Sequence, residues 1–256
     1  MPSLSSLLAR ARGLIGRREV VLIVLLAVLA GGVWSFIALA GEVSEGETAT
    51  IDERILLAFR EPGDSHDPIG SRSVESAVRD VTALGSLTVL GLLVFGVGLY
   101  FILDRRPRMG LFVLAAVVSG GALTYALKFL YNRTRPSILP GDMLPGDPSF
   151  PSGHAALAAV VYLTLGLLQA QTLPRRRLKV YVVGLAVLLA LAVGTSRVYL
   201  GVHWPSDVLA GWTLGGLWAL VCWQAERLLQ RRGLVERSAF VRRPRAPAKD
   251  APSEEA

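Results

Sequence analysis

The 256-residue chain has one cysteine and three histidines. The lone Cys222 sits inside an apolar run, so no intramolecular disulfide can form and no redox compartment can be read from it. Histidine occurs only at His66, His154 and His203, which leaves no Cys/His cluster for structural zinc. A G-x4-G-K-[ST] phosphate loop is absent, as is an H-E-x-x-H pair. P-loop nucleotide chemistry and zinc peptidase chemistry are thereby excluded. Lysine is scarce too: among 27 basic residues only Lys128, Lys179 and Lys249 are lysines.

What the chain has in quantity is apolar length. It is 52% hydrophobic and 18% charged, with a mean hydropathy of +0.48. That is too apolar for a soluble domain of this size. Apolar runs occur at 20–40, 86–103, 109–127, 154–173, 180–194 and 208–223. A bilayer core needs roughly 20 residues of helix, so the last two runs must extend into their polar flanks. The expected fold is all-α: a polytopic membrane protein of six transmembrane helices. The first run follows Arg10, Arg12, Arg17 and Arg18 and lacks a convincing small-residue cleavage site, so it reads as a retained span. The expected organisation is a basic N-terminus (1–19), a six-span unit (20–230) and a disordered polar tail (231–256).

Basic residues set the orientation. With the N-terminus inside, segments 1–19, 104–108, 171–179 and 224–256 hold 19 Lys/Arg and the outer segments hold 8. Both termini are thus expected in the cytoplasm, with the protein in the plasma (inner) membrane. The net charge of +7 reflects this anchoring rather than a nucleic-acid surface. The first outer loop, 41–85, is long. Val74, Ala77, Val78, Val81 and Leu84 recur at helical spacing, as in a helix lying at the interface. Residues 51–60 are a candidate for a second such helix.

In this orientation three polar clusters share the outer face. Lys128 and Arg135-Pro136 end the third span. Pro151-Ser152-Gly153-His154 opens the fourth. Ser196-Arg197, His203 and Asp207 bridge the fifth and sixth. Each has a bland reading. Lys128 and Arg135 could be snorkelling anchors, Ser152 an N-cap and Asp207 a partner of the helix dipole. Together they are chemically complementary. Three fixed cations suit a phosphate dianion. A Ser-Gly turn at a helix N-terminus offers it backbone N–H groups. Two histidines supply a nucleophile and a proton donor.

These stretches also carry a resemblance. "KFLYNRTRP" (128–136) fits K-x6-R-P, "PSGH" (151–154) fits a second signature, and "SRVYLGVHWPSD" (196–207) fits S-R-x5-H-x3-D. In these motifs the chain resembles the type-2 phosphatidic acid phosphatase superfamily of membrane lipid phosphatases, which shares its site with the vanadium haloperoxidases. The resemblance covers about residues 20–225. It implies that His203 is the nucleophile, Asp207 orients it, and His154 is the general acid. It also implies that Lys128, Arg135, Ser152, Gly153 and Arg197 bind the phosphoryl oxygens. The implied substrate is a lipid phosphate or diphosphate, of undecaprenyl diphosphate, phosphatidate or phosphatidylglycerol phosphate type. No cofactor and no metal are implied. On the outer face beyond residues 41–80 the acidic residues are Asp142, Asp147 and Asp207, which is thin for a two-metal site. A lipid phosphotransferase would use the same motifs. An anion transporter would place its charges near the midplane within inverted repeats, and no repeat is found here. An inactive lipid-binding homologue is a further alternative, against which every motif position is filled. The sequence does not determine the lipid tail or the oligomeric state.

Overall fold

The computed structural model describes residues 17–136 and 148–236. Most of the basic N-terminus, Asp142, Asp147 and the tail beyond residue 236 lie outside the described residues. The helices are α1 (Arg17–Glu45), α2 (Ala49–Leu57), α3 (Arg72–Ala83), α4 (Leu87–Leu103), α5 (Pro107–Tyr131), α6 (Gly153–Thr172), α7 (Arg176–Tyr199) and α8 (Pro205–Arg231). Helices α1, α5, α6, α7 and α8 are each long and apolar enough to cross a membrane. The 17-residue α4 reaches that length only together with α3, from which it is bent by 45°. The two terminal spans do run into their flanks, to Tyr199 and Arg231. Leu26, Trp34, Phe95, Phe129 and Leu188 are exposed. Such an apolar surface suits lipid rather than water.

Helix α6 is the axis of the bundle. Every residue from Ala155 to Val161 is buried, and α5, α7 and α8 all pack on it. Its contact with α8 is a seam of small residues. A Cβ on Gly211 would lie 2.8 Å from Ser152 O, and one on Gly215 would lie 2.5 Å from Ala159 Cβ and 2.6 Å from Ala156 O. Between helices in lipid, where hydrophobicity gives no drive, close backbone approach of this kind supplies dispersion contact. Gly211 and Gly215, four residues apart, form the stripe that permits it. The seam brings the N-termini of α6 and α8 side by side, where Ser152 N–H donates to Asp207 O at 2.9 Å. Phe150, fully buried against Phe36 and Tyr131, anchors the segment that leads into α6.

The loop between α1 and α4, expected on the outer side, is partly not helical. Both interfacial helices of the sequence reading are present, as α2 and α3. Between them is a two-stranded antiparallel hairpin, β1 (Arg60–Glu61) and β2 (Asp64–Pro68). Its turn is Pro62-Gly63, and Gly63 holds a φ of 97° that other residues rarely adopt. The loop packs down on the bundle: buried Arg60 donates to Tyr199 O at 2.7 Å and Tyr199 Oη donates to Ile69 O at 2.7 Å.

The seam predicts the cost of a side chain there. Gly215→Val forces α6 and α8 apart, an overpacking that costs about 1–3 kcal/mol. Thermal unfolding in detergent should show a lowered midpoint. The same substitution at Gly184, where a Cβ meets no neighbour within 4 Å, should leave the midpoint near that of the parent.

Candidate active site

The eight residues singled out in the three motifs converge on one end of the bundle. His203 lies in the short turn between α7 and α8, fully buried. Its Nδ1 is 3.4 Å from Asp207 Oδ2 and 3.2 Å from Ser149 Oγ. Its Nε2 is 3.4 Å from Arg135 Nη1. A guanidinium can only donate, so Nε2 is the acceptor nitrogen and Nδ1 carries the hydrogen, with Ser149 and Asp207 to receive it. That tautomer leaves the Nε2 lone pair facing the cations. Burial holds the imidazole down at about 4. The hydrogen bond and charge of Asp207 pull the other way, and Arg197 and Arg135 push it lower. At neutral pH the ring is uncharged.

Asp207 is wholly buried and densely bonded. It accepts from Arg133 Nη1 at 2.7 Å, from Trp204 N–H at 2.9 Å and from Ser149 Oγ. The bond from Trp204 N–H caps the start of α8, so the helix-start reading of Asp207 holds alongside its pairing with His203. The other bland readings fare differently. Lys128 is 4% exposed and its Nζ donates to Pro148 O, so it points inward and does not snorkel. Ser152 occupies the N-cap position of α6, yet its side chain makes no capping bond. Arg135 follows α5 in extended chain and donates to Val202 O at 2.9 Å. Gly153 packs near Lys128, since a Cβ there would lie 3.4 Å from Lys128 Cε. Ser196, by contrast, donates to Val193 O within its own helix and belongs to the fold.

His154 opens α6 and lies in the electrostatic field of Arg197, His203, Arg135 and Lys128. Arg197, on the last turn of α7, donates from Nη1 to Thr82 Oγ1 at 3.1 Å. Among the described residues, five side-chain atoms are buried without a hydrogen-bond partner, and two of them, Ser152 Oγ and Arg197 Nε, belong to the motifs; the others are Arg60 Nε, Arg106 Nη1 and Thr164 Oγ1. Orphaned donors of this kind are costly in a folded interior and need a reason. For the two motif atoms, an anion seated between them would supply it.

Four residues that shape the site have no place in the motif reading. Ser149 bridges His203 and Asp207. Arg133 holds the far oxygen of Asp207. Thr82 orients Arg197. Gly85, at the α3–α4 bend, approaches His154 so closely that a Cβ would lie 3.3 Å from its Cδ2. The outer loop is therefore a wall of the site. Arg133 was legible as one more basic flank, and the position of Ser149 before the Pro-Ser-Gly-His turn was its sole signal.

Residues 109–231, which contain all three motifs, match the family model of the PAP2 superfamily. Phosphatidylglycerophosphatase B of Bacillus subtilis is 31% identical over 188 residues, spanning 70% of this chain and 85% of the relative. Undecaprenyl-diphosphatase of Sulfolobus acidocaldarius is 35% identical over 122 residues, 46% of this chain and 55% of the relative. A crystal structure of a transmembrane PAP2-type phosphatidylglycerolphosphate phosphatase from Bacillus subtilis matches with a TM-score of 0.71 at 29% identity. That match covers 79% of this chain and 98% of the other. The chain belongs to the PAP2 superfamily of membrane lipid phosphatases and has its transmembrane fold.

The two serines of the site should separate cleanly. Ser152→Ala removes an orphaned donor, so vanadate affinity should fall roughly tenfold, about 1.4 kcal/mol. Ser149→Ala removes a bond behind His203, so vanadate affinity should hold while kcat falls roughly tenfold or more. Titration calorimetry with orthovanadate, alongside steady-state kinetics, measures both.

Proposed function

We propose that this phosphatase works without metal, through a phosphohistidine on His203, at the outer face of the plasma membrane. The observation that carries the reading is the pairing of a tautomer-fixed His203 with the unpartnered Ser152 Oγ and Arg197 Nε. A nucleophile with its lone pair presented thus stands beside buried donors suited to phosphoryl oxygens.

In the first step the Nε2 lone pair of His203 forms a bond to phosphorus and the bond to the leaving oxygen breaks. That oxygen takes a proton from His154. The positive charge growing on the ring stays at Nδ1–H, opposite Asp207. In the second step water attacks phosphorus, the N–P bond breaks, and His154 takes the proton of the water. Lys128, Arg135 and Arg197, with Ser152 and the N–H groups at the start of α6, stabilise the equatorial oxygens. Phosphoryl transfer is mostly positioning and charge stabilisation, and one preorganised donor is worth about 10²–10³ in rate.

A lipid tail fits the neighbourhood. An apolar cleft of about 650 Å³ runs between α4 and α5, lined by Leu87, Gly91, Gly98, Gly121, Tyr125 and Leu157. It starts two residues beyond Gly85, the residue packed on His154, so a tail in the cleft places its head group by the acid. The Bacillus relative, whose length this chain covers most fully among those above, is named a phosphatidylglycerophosphatase. That supports a glycerolipid phosphate as the first substrate to try; a polyprenyl diphosphate is the second, on the name of the Sulfolobus relative.

The test is acid-quench trapping of labelled phosphoenzyme in excess EDTA, with phosphatidylglycerol phosphate and with p-nitrophenyl phosphate. Wild type should form phosphohistidine with both. His203→Ala should form none. His154→Ala should lose far more activity with the lipid, whose alkoxide needs a proton, than with p-nitrophenolate, which leaves without one. A strict requirement for Mg²⁺ or Zn²⁺, or phosphoenzyme in His203→Ala, would refute the mechanism.

The orientation rests on the distribution of basic residues and has its own check. In a Cys222→Ser background, a cysteine replacing exposed Asp64 on the hairpin should react with an impermeant maleimide in intact cells. One replacing exposed Arg176, at the opposite end of the bundle, should react only after lysis. The reverse pattern would put the site in the cytoplasm.

A further inference from the structure

The outer loop reaches the nucleophile by a second route, through charge. Asp52, on the first turn of α2, is 2% exposed. Its Oδ1 accepts from Ser206 N–H at 2.9 Å, and its Oδ2 accepts from Ser206 Oγ and from Arg133 Nη2 at 2.8 Å. Arg133 turns its other nitrogen, Nη1, to Asp207 Oδ1 at 2.7 Å and to Ser206 Oγ at 2.7 Å. Its guanidinium also lies over the Trp204 ring, 5.6 Å from the centroid. One cation is thus held between two carboxylates, and the second carboxylate holds the nucleophilic histidine. A buried acid on the apolar side of a loop helix is costly to keep. Simple anchoring of α2 would be served as well by a neutral side chain.

We propose that Asp52 is a positioning residue for the phosphatase reaction, acting through Arg133 on the Asp207 carboxylate that orients His203. This inference rests on the phosphohistidine reading above. Asp207 must stabilise the charge that develops on the His203 ring as the N–P bond forms. Arg133 alone would draw the negative charge of Asp207 toward itself. Asp52 balances Arg133, so that Asp207 faces the imidazole as a full carboxylate. The trio carries a net charge of one negative, and that value is what the reaction uses.

The test is a charge-balanced cycle in the full-length protein, in detergent, with phosphatidylglycerol phosphate. Asp52→Asn makes the trio neutral. Its kcat should fall roughly 10- to 100-fold, with KM and vanadate affinity near those of wild type, because the phosphate-binding residues are untouched. Arg133→Gln makes the trio doubly negative. More negative charge beside His203 favours its protonated form, so the acid limb of kcat/KM should move to higher pH than in wild type. The groups facing that ring are Asp207, Arg135, Arg197 and His154, and none is altered in these variants. The double variant restores a net charge of one negative, so its kcat should recover to within about threefold of wild type, a strongly non-additive result.

A merely structural role predicts that kcat follows the thermal midpoint through the cycle and that the acid limb of Arg133→Gln stays in place. That outcome, or unchanged kcat in Asp52→Asn, overturns the proposal. Thermal midpoints are read on every variant. Should a single variant fail to fold, the double variant decides alone: near-wild-type kcat supports the proposal, and a loss beyond about 100-fold overturns it. Absence of turnover or of phosphoenzyme in wild type would overturn the phosphohistidine reading itself. Wild-type turnover with an indifferent Asp52 would overturn this inference alone.

Discussion

The buried carboxylate of Asp207 is the group on which the site end of the molecule depends. It accepts from Arg133 beyond α5, from Ser149 before α6 and from Trp204 at the start of its own helix, and its backbone oxygen accepts from Ser152. A carboxylate stripped of water is tolerated only when charge and hydrogen bonds replace the water. The replacements come from the chain after α5, the segment before α6 and the start of α8, so satisfying one anion fixes three segments relative to one another. The same bonds set the tautomer of His203. Stability at this end and the orientation of the imidazole are therefore one arrangement.

That arrangement is possible because α6 and α8 begin at the same depth. Their common start follows from the close seam at Gly211 and Gly215, which places Ser152 and Asp207 within a backbone hydrogen bond. Larger residues would separate the helix N-termini and divide the second motif from the third. The apolar helices thus do more than span: their small residues determine whether the polar ends meet.

The spans and the eight motif residues were legible because each leaves a strong local mark. A span is a run of apolar residues, and a polar residue at its end stands out against that run. Ser149, Arg133, Thr82 and Asp52 leave no such mark. Arg133 sits two residues from Arg135 in a basic stretch, and position in sequence does not reveal that one faces carboxylates and the other the imidazole. Asp52 shares the buried side of α2 with Leu56. An acid at an i, i+4 step from a core leucine was the available signal, and the amphipathic reading of that stretch passed over it. The hairpin escaped for a different reason. Its strands are short and charged and bury no alternating face, so only the Pro-Gly turn announced it.

Charge is sorted within this site. Behind His203, Arg133 is matched by two carboxylates. In front, Lys128, Arg135 and Arg197 donate to Pro148 O, Val202 O and Thr82 Oγ1. Carbonyl and hydroxyl oxygens orient a cation without cancelling its charge. The front of the site thus gathers three cations, and the back sets two carboxylates against one guanidinium. The outer loop supplies Asp52 to the back and Thr82 to the front, so the segment with the least family signature contributes to both halves of this separation.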